Sequence, residues 1–124
     1  MTSPVTAVAA TAQVGGGLQC TVYPYWSYPP VYADSCSSPR PSYNSTVHFK
    51  VVSPSPAYTY SWSMSGAPLP STCTSTSSTC TVPVNNRSVD RYVTATVTVS
   101  GVGQFISEAW VLAACPGPTG TEFC

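Results

Sequence analysis

The sequence predicts an all-β fold, an antiparallel β-sandwich stapled by disulfides, and three observations point there. Val, Thr, Tyr and Trp, which suit a pleated, half-buried surface, recur in short runs of period two, as in "VTATVTV" at 93–99. Helical periodicity is found nowhere along the chain. Six cysteines in 124 residues form an even set in a short chain, which reads as a disulfide framework in an oxidising compartment.

The elements follow in order. Residues 5–14, "VTAVAATAQV", are small and weakly alternating and run into Gly15-Gly16-Gly17. Residues 1–17 are therefore an N-terminal extension or an extra strand, pairing with the module's own edge or donated to a neighbouring subunit. Residues 18–124 make a single domain, a length that buries one core without splitting. "LQCTVY" (18–23) is the first strand, with Leu18, Cys20 and Val22 on one face. "PYWSYPPVYADSCSSPRPSYN" holds too much proline for a central strand and reads as a long excursion. "STVHFKVV" (45–52) turns Val47, Phe49 and Val51 inward, and "AYTYSWSMS" (57–65) does the same with Tyr58, Tyr60, Trp62 and Met64. "SVDRYVTATVTVS" (88–100) alternates Val93, Ala95, Val97 and Val99 with threonines. "QFISEAWVLAAC" (104–115) closes the set, and its two faces do not rank by hydrophobicity.

Charge narrows the partners. Only 6% of residues are charged, against roughly a quarter in ordinary domains. Four cations balance four acids, so neither a nucleic-acid footprint nor a polybasic lipid patch is expected. No stretch approaches the ~20 apolar residues of a membrane span. The start, "MTSPVTAVAATAQV", lacks a basic region and a continuous apolar core. A mature secreted chain with Met1 in place of a leader is the expectation.

Residues 71–82, "STCTSTSSTCTV", set two cysteines close together among hydroxyls. A zinc clip would want C-x-x-C pairs or histidines at ligand spacing, and His48 is the sole histidine. An ice-binding solenoid would need the coil repeated, since one repeat buries no core, and the stretch occurs once. A Cys73–Cys80 disulfide closing a polar loop remains, worth about 2 to 3 kcal/mol in the loop-entropy model. Cys20, Cys36, Cys115 and Cys124 allow three pairings that spacing does not resolve. No metal and no cofactor are expected.

An enzyme is not expected either. Asp34, Asp90, Glu108 and Glu122 are scattered, with no pair at short spacing. No G-x-S-x-G elbow marks a nucleophile, and disulfide-bonded cysteines have no thiol chemistry. His48 sits on the polar face of its strand beside Lys50, where a solvated side chain is the expectation.

The most suggestive stretch is "YPYWSYPPVY" (23–32), with Tyr23, Tyr25, Trp26, Tyr28 and Tyr32 among three prolines. Proline lowers the entropy cost of presenting rings to a partner. Rings with a polar tip suit wet contacts with sugars or protein. The competing expectation is a lid, the loop folding its rings over one open end of the sandwich.

"YTYSWSMSG" and "DRYVTATVTVSG" carry a resemblance. A tryptophan centred on a third strand, with a tyrosine-led alternating strand behind it, resembles immunoglobulin-like (Ig-like) modules. The bacterial Ig-like and polycystin-type (PKD) repeats are the nearest in pattern, over roughly residues 18–115. The acidic, glycine-rich run that PKD repeats carry after this tryptophan is missing here, where Ser63-Met64-Ser65-Gly66 follows Trp62. The resemblance implies that Trp62 fills the gap between two sheets, and that Asp90 and Tyr92 lie near a tyrosine corner. It also favours Cys20–Cys115 with Cys36–Cys124, because first and last strands can be neighbours in such folds. The local alternative is Cys20–Cys36 with Cys115–Cys124. Two N-glycosylation sequons, at Asn44 and Asn86, are present.

The resulting expectation is a non-catalytic, secreted or cell-surface Ig-like module for binding or adhesion. Its partner is protein or carbohydrate, met through residues 23–32. The alternative is a structural subunit of a surface assembly that pairs through its N-terminal strand. An inhibitor presenting the Cys73–Cys80 loop to a protease trails both.

Overall fold

The computed structural model describes residues 13–14 and 17–124. Among them the chain forms β1 (Gln13–Val14), β2 (Leu18–Tyr23), β3 (Ser35–Ser37), β4 (Asn44–Val51) and β5 (Tyr60–Ser65). These are followed by β6 (Thr79–Asn85), β7 (Arg91–Val99), β8 (Gly103–Val111), β9 (Ala114–Gly117) and β10 (Gly120–Phe123). The described residues contain no helix, and so none long and apolar enough to cross a membrane.

Strands β2, β4 and β6 make one antiparallel sheet in the order β2-β4-β6. The second sheet runs β8-β7-β5, also antiparallel. The edge of β8 away from β7 takes two short parallel partners in succession. β1 meets it at Phe105–Ile106 and β3 at Glu108–Trp110. The N-terminal expectation falls mostly on residues 1–12 and 15–16, which lie outside the described residues.

Alternation explains the packing. Every second residue of β4 (Val47, Phe49, Val51) and of β7 (Val93, Ala95, Val97, Val99) is buried, and both sets join one core with Leu18, Val22 and Trp62. β8 did not rank by hydrophobicity because its inward residues are small. Ser107, Ala109 and Val111 point in, while Trp110 stays half exposed. The Cys20–Cys36 bridge crowds this stretch: Cys20 lies 3.4 Å from the Glu108 carbonyl through its sulfur, and Cys36 is the register partner of Ala109.

The cysteines pair locally, as Cys20–Cys36, Cys73–Cys80 and Cys115–Cys124. This corrects the pairing favoured by the resemblance, Cys20–Cys115 with Cys36–Cys124. The proline-rich excursion is not all loop; it returns to β2 through an Ala33–Cys20 bridge and forms β3, which brings Cys36 under Cys20. Cys115 meanwhile lies beyond β8, directly after Ala114, which bridges to Arg87. Strand β8 ends at Val111, not at residue 115, and Cys115 closes a β9–β10 hairpin with Cys124.

The tyrosine corner is also corrected. Val93 points in, so Tyr92 points out; its hydroxyl donates to the Asp90 carboxylate at 3.3 Å rather than to backbone. Asp90 turns its other oxygen to the Ala113 N–H, at 2.6 Å.

Asn86 makes the turn out of β8 possible. It is fully buried; its side-chain N–H donates to the Leu112 carbonyl at 2.8 Å, and its side-chain oxygen accepts from the Ser45 hydroxyl at 3.2 Å. Its backbone carbonyl takes the Ala114 N–H at 3.0 Å. Its sequon is therefore closed in the folded protein, whereas Asn44 is exposed. Asn86→Ala should destabilise by about 2 to 4 kcal/mol, because two buried groups lose their partners at once. A urea midpoint unmoved by this substitution would mean that water reaches the site.

Candidate binding site

The site is built on the outward face of β4. Thr46, His48 and Lys50 stand on that face, opposite Tyr23, Thr21 and Gln19 of β2 in register. From Tyr23 the chain leaves the sheet, runs through residues 24–32 and returns at Ala33. There it exchanges two backbone hydrogen bonds with Cys20, at 2.8 and 3.0 Å. The Cys20–Cys36 disulfide and the Ser107 hydroxyl, donating to the Asp34 carbonyl at 2.7 Å, tie down the same base.

Cations hold the loop from below and beside. The Lys50 ammonium lies 4.0 Å over the Tyr32 ring. The Arg40 guanidinium lies 5.3 Å over Trp26 and donates to the Tyr25 carbonyl at 3.4 Å. Two of the four lysines and arginines of the chain are thus committed to this loop, each in a cation–π contact worth about 0.5 to 1 kcal/mol at an exposed site. Tyr23 meets Tyr25 edge-on at 5.3 Å, and Tyr25 leans over His48 at 6.4 Å.

The five rings divide by exposure. Tyr25 and Tyr32 lie half-buried. Partial burial, then the neighbouring tyrosines, raise both their pKa values, so both remain neutral phenols at physiological pH. Tyr23 is half exposed, while Trp26 and Tyr28 keep 74% and 84% of their surface in solvent. The latter two contribute nothing to the core. Beneath the loop, between it and β3, lies an open cavity of about 280 Å³.

His48 departs from the solvated side chain expected of it. It is half-buried under Tyr25, with Nδ1 3.2 Å from the Thr81 hydroxyl. Burial penalises the imidazolium and lowers its pKa from 6.5. The folded chain therefore takes up this proton less readily than the unfolded chain. Stability should be full above about pH 6.5 and decline as pH falls from there through the lower folded pKa. His48→Gln should flatten that slope in denaturant midpoints measured between about pH 7.5 and 5; a wild-type profile already flat there would mean an imidazole open to water.

Asp90 braces the turn after β8, and Glu122 accepts from the Thr119 hydroxyl within the terminal hairpin. Among the described residues no three of His, Cys, Asp or Glu gather as a metal site would require. A second exposed aromatic pair joins Tyr92, expected near a tyrosine corner, to Trp110, for which the sequence suggested no role. The two meet edge-on at 6.4 Å on the outer face of the second sheet. The alternation of β7 and β8 held that signal, since both rings fall on the threonine-bearing face. Comparison with protein-family models, curated proteins and solved structures returned no match.

Proposed function

We propose that the chain is a non-catalytic, secreted Ig-like module that binds a partner outside the cell through residues 23–32. Strand order supports the Ig-like part of this reading. With β2, β4 and β6 as strands A, B and E, and β5, β7 and β8 as C, F and G, both sheets follow the order of such sandwiches. Three disulfides support an oxidising compartment. One observation carries the binding reading: Trp26 and Tyr28 stay exposed on a loop whose base is bonded, bridged and flanked by cations. Such a loop loses little freedom when a partner docks.

The test is co-sedimentation with insoluble cell-envelope and extracellular material, wild type beside Trp26→Ala/Tyr28→Ala. Retention should weaken about thirty-fold, the scale of an aromatic hot spot, with the melting temperature within about 2 °C of wild type, since both side chains are exposed. Equal retention would remove the loop as contact surface, and a large drop in melting temperature would make it a lid.

A second reading, the structural subunit, would need the N-terminal strand to pair with a neighbouring copy as residues 13–14 pair with β8 of their own chain. Light scattering after size exclusion separates the two. Polymers that vanish on deleting residues 1–14 would select the subunit.

A further inference from the structure

The cavity under the loop shares a wall with a second one. The first, about 280 Å³, is lined by two aromatic residues, Tyr25 and Trp26, by four hydroxyl-bearing ones that include Ser35 and Ser37, and by apolar residues such as Val31 and Pro39. The second, about 180 Å³, is lined by Trp110 and again by Ser35, Cys36 and Ser37. Strand β3 is the common wall. On its far side stands Trp110, half exposed and held edge-on by Tyr92. We propose that the two cavities are adjacent subsites for a neutral oligosaccharide, one sugar against Tyr25 and Trp26 and the next against Trp110. The inference rests on the loop reading and names its ligand class.

The lining decides the class. No charged side chain is found among the described residues of either wall. The nearby Arg40 guanidinium stands against the Trp26 ring. An acidic sugar would lose hydration with no cation in the wall to replace it. A purely apolar ligand would cover hydroxyls and leave them unpaired. A sugar presents what both walls match: hydroxyls that donate and accept, as Ser and Thr hydroxyls do, and a C–H face that lies on an aromatic ring with a polar tip. An extended peptide would want a long row of free backbone groups, but β3 is three residues long and one side is already paired with β8. Size agrees: the cavities, about 280 and 180 Å³, lie at or below the lower end of a drug-sized site, which suits one small unit of a ligand in each.

The experiment is an NMR titration of the intact oxidised chain, following the indole N–H signals. The probes are β-1,4-linked gluco-, manno-, xylo- and N-acetylglucosamine oligosaccharides of one to four units, with oligogalacturonate as the acidic control. Affinity for at least one neutral series should rise from one unit to two. Trp26→Ala should weaken every length about thirty-fold, and Trp110→Ala should weaken two units and longer about tenfold while sparing the single sugar. Both rings are exposed, so neither substitution removes a core contact, and melting temperatures check this. Oligosaccharide binding indifferent to Trp110→Ala would overturn the site across β3. Preference for oligogalacturonate would overturn the neutral class. Silence of every neutral probe up to about 10 mM would overturn the inference altogether. If envelope retention still depended on Trp26 and Tyr28 in that case, the loop reading would stand with a partner that is not a glycan. If it did not, both would fall.

Discussion

Reducing all three disulfides should unfold the domain or leave it barely folded at 25 °C. The bridges close loops with sequence separations of 16, 7 and 9 residues. In the loop-entropy model each restricts the unfolded chain by about 2.5 to 3 kcal/mol, and together by about 8. That is comparable with the whole stability of a typical domain, about 5 to 15 kcal/mol. Two of the bridges also carry packing: Cys20, Cys73 and Cys80 are core residues, and Cys36 packs against the core. Urea unfolding with and without reductant measures the loss. Cys73→Ser/Cys80→Ser alone should cost about 2 to 3 kcal/mol or somewhat more, since two core sulfurs become hydroxyls. Reduction should also loosen the aromatic loop before the rest unfolds, because Cys36 anchors its return to β2. Six titratable thiols in the native, unreduced protein would contradict the oxidising compartment and the pairing together.

Trp62→Ala should cost about 3 to 5 kcal/mol. The ring sits at the centre of β5 opposite Val97, buried to 7% exposure, between the two sheets. Its N–H donates to the Ser77 carbonyl at 2.8 Å, so it also holds the hydroxyl-rich loop between Cys73 and Cys80. Deletion leaves a cavity and an unpaired carbonyl. Trp62→Phe keeps most of the volume and loses the hydrogen bond, so about 1 to 3 kcal/mol is expected. The difference between the two variants separates packing from bonding. A loss below about 1 kcal/mol for Trp62→Ala would mean that the strand faces the other way.

Both expectations were legible in the chain to different degrees. Trp62 could be placed because Tyr60, Trp62 and Met64 alternate with serines, and period two is a local property that survives any tertiary arrangement. The same holds for Val47, Phe49 and Val51, and for the valines of β7. The Cys73–Cys80 closure was legible for a similar reason, since a short polar loop brings its ends together at little cost. The other two pairings were not. Cys20 meets Cys36 only because the excursion after Tyr23 comes back to Ala33 and lies along β8, and no residue within the excursion announces that return.

The binding site divides along the same line. Its aromatic content, Tyr23 to Tyr32, is a matter of composition and stands out in any reading. Which rings face solvent is not. Tyr25 and Tyr32 lie down because His48 and Lys50 of β4 stand beneath them, while Tyr28 and Trp26, which meets the exposed Arg40 instead of the sheet, stay in solvent. Arg40 joins from beyond β3, and Trp110 from a strand some eighty residues downstream. What the chain alone determines are the alternating strands β2, β4, β5 and β7, their inward faces and its even set of cysteines, all set by neighbours two residues apart or by residue type. What folding decided are the partners across sheets and loops, because those contacts depend on where each strand's edge is left open, and period two says nothing about edges.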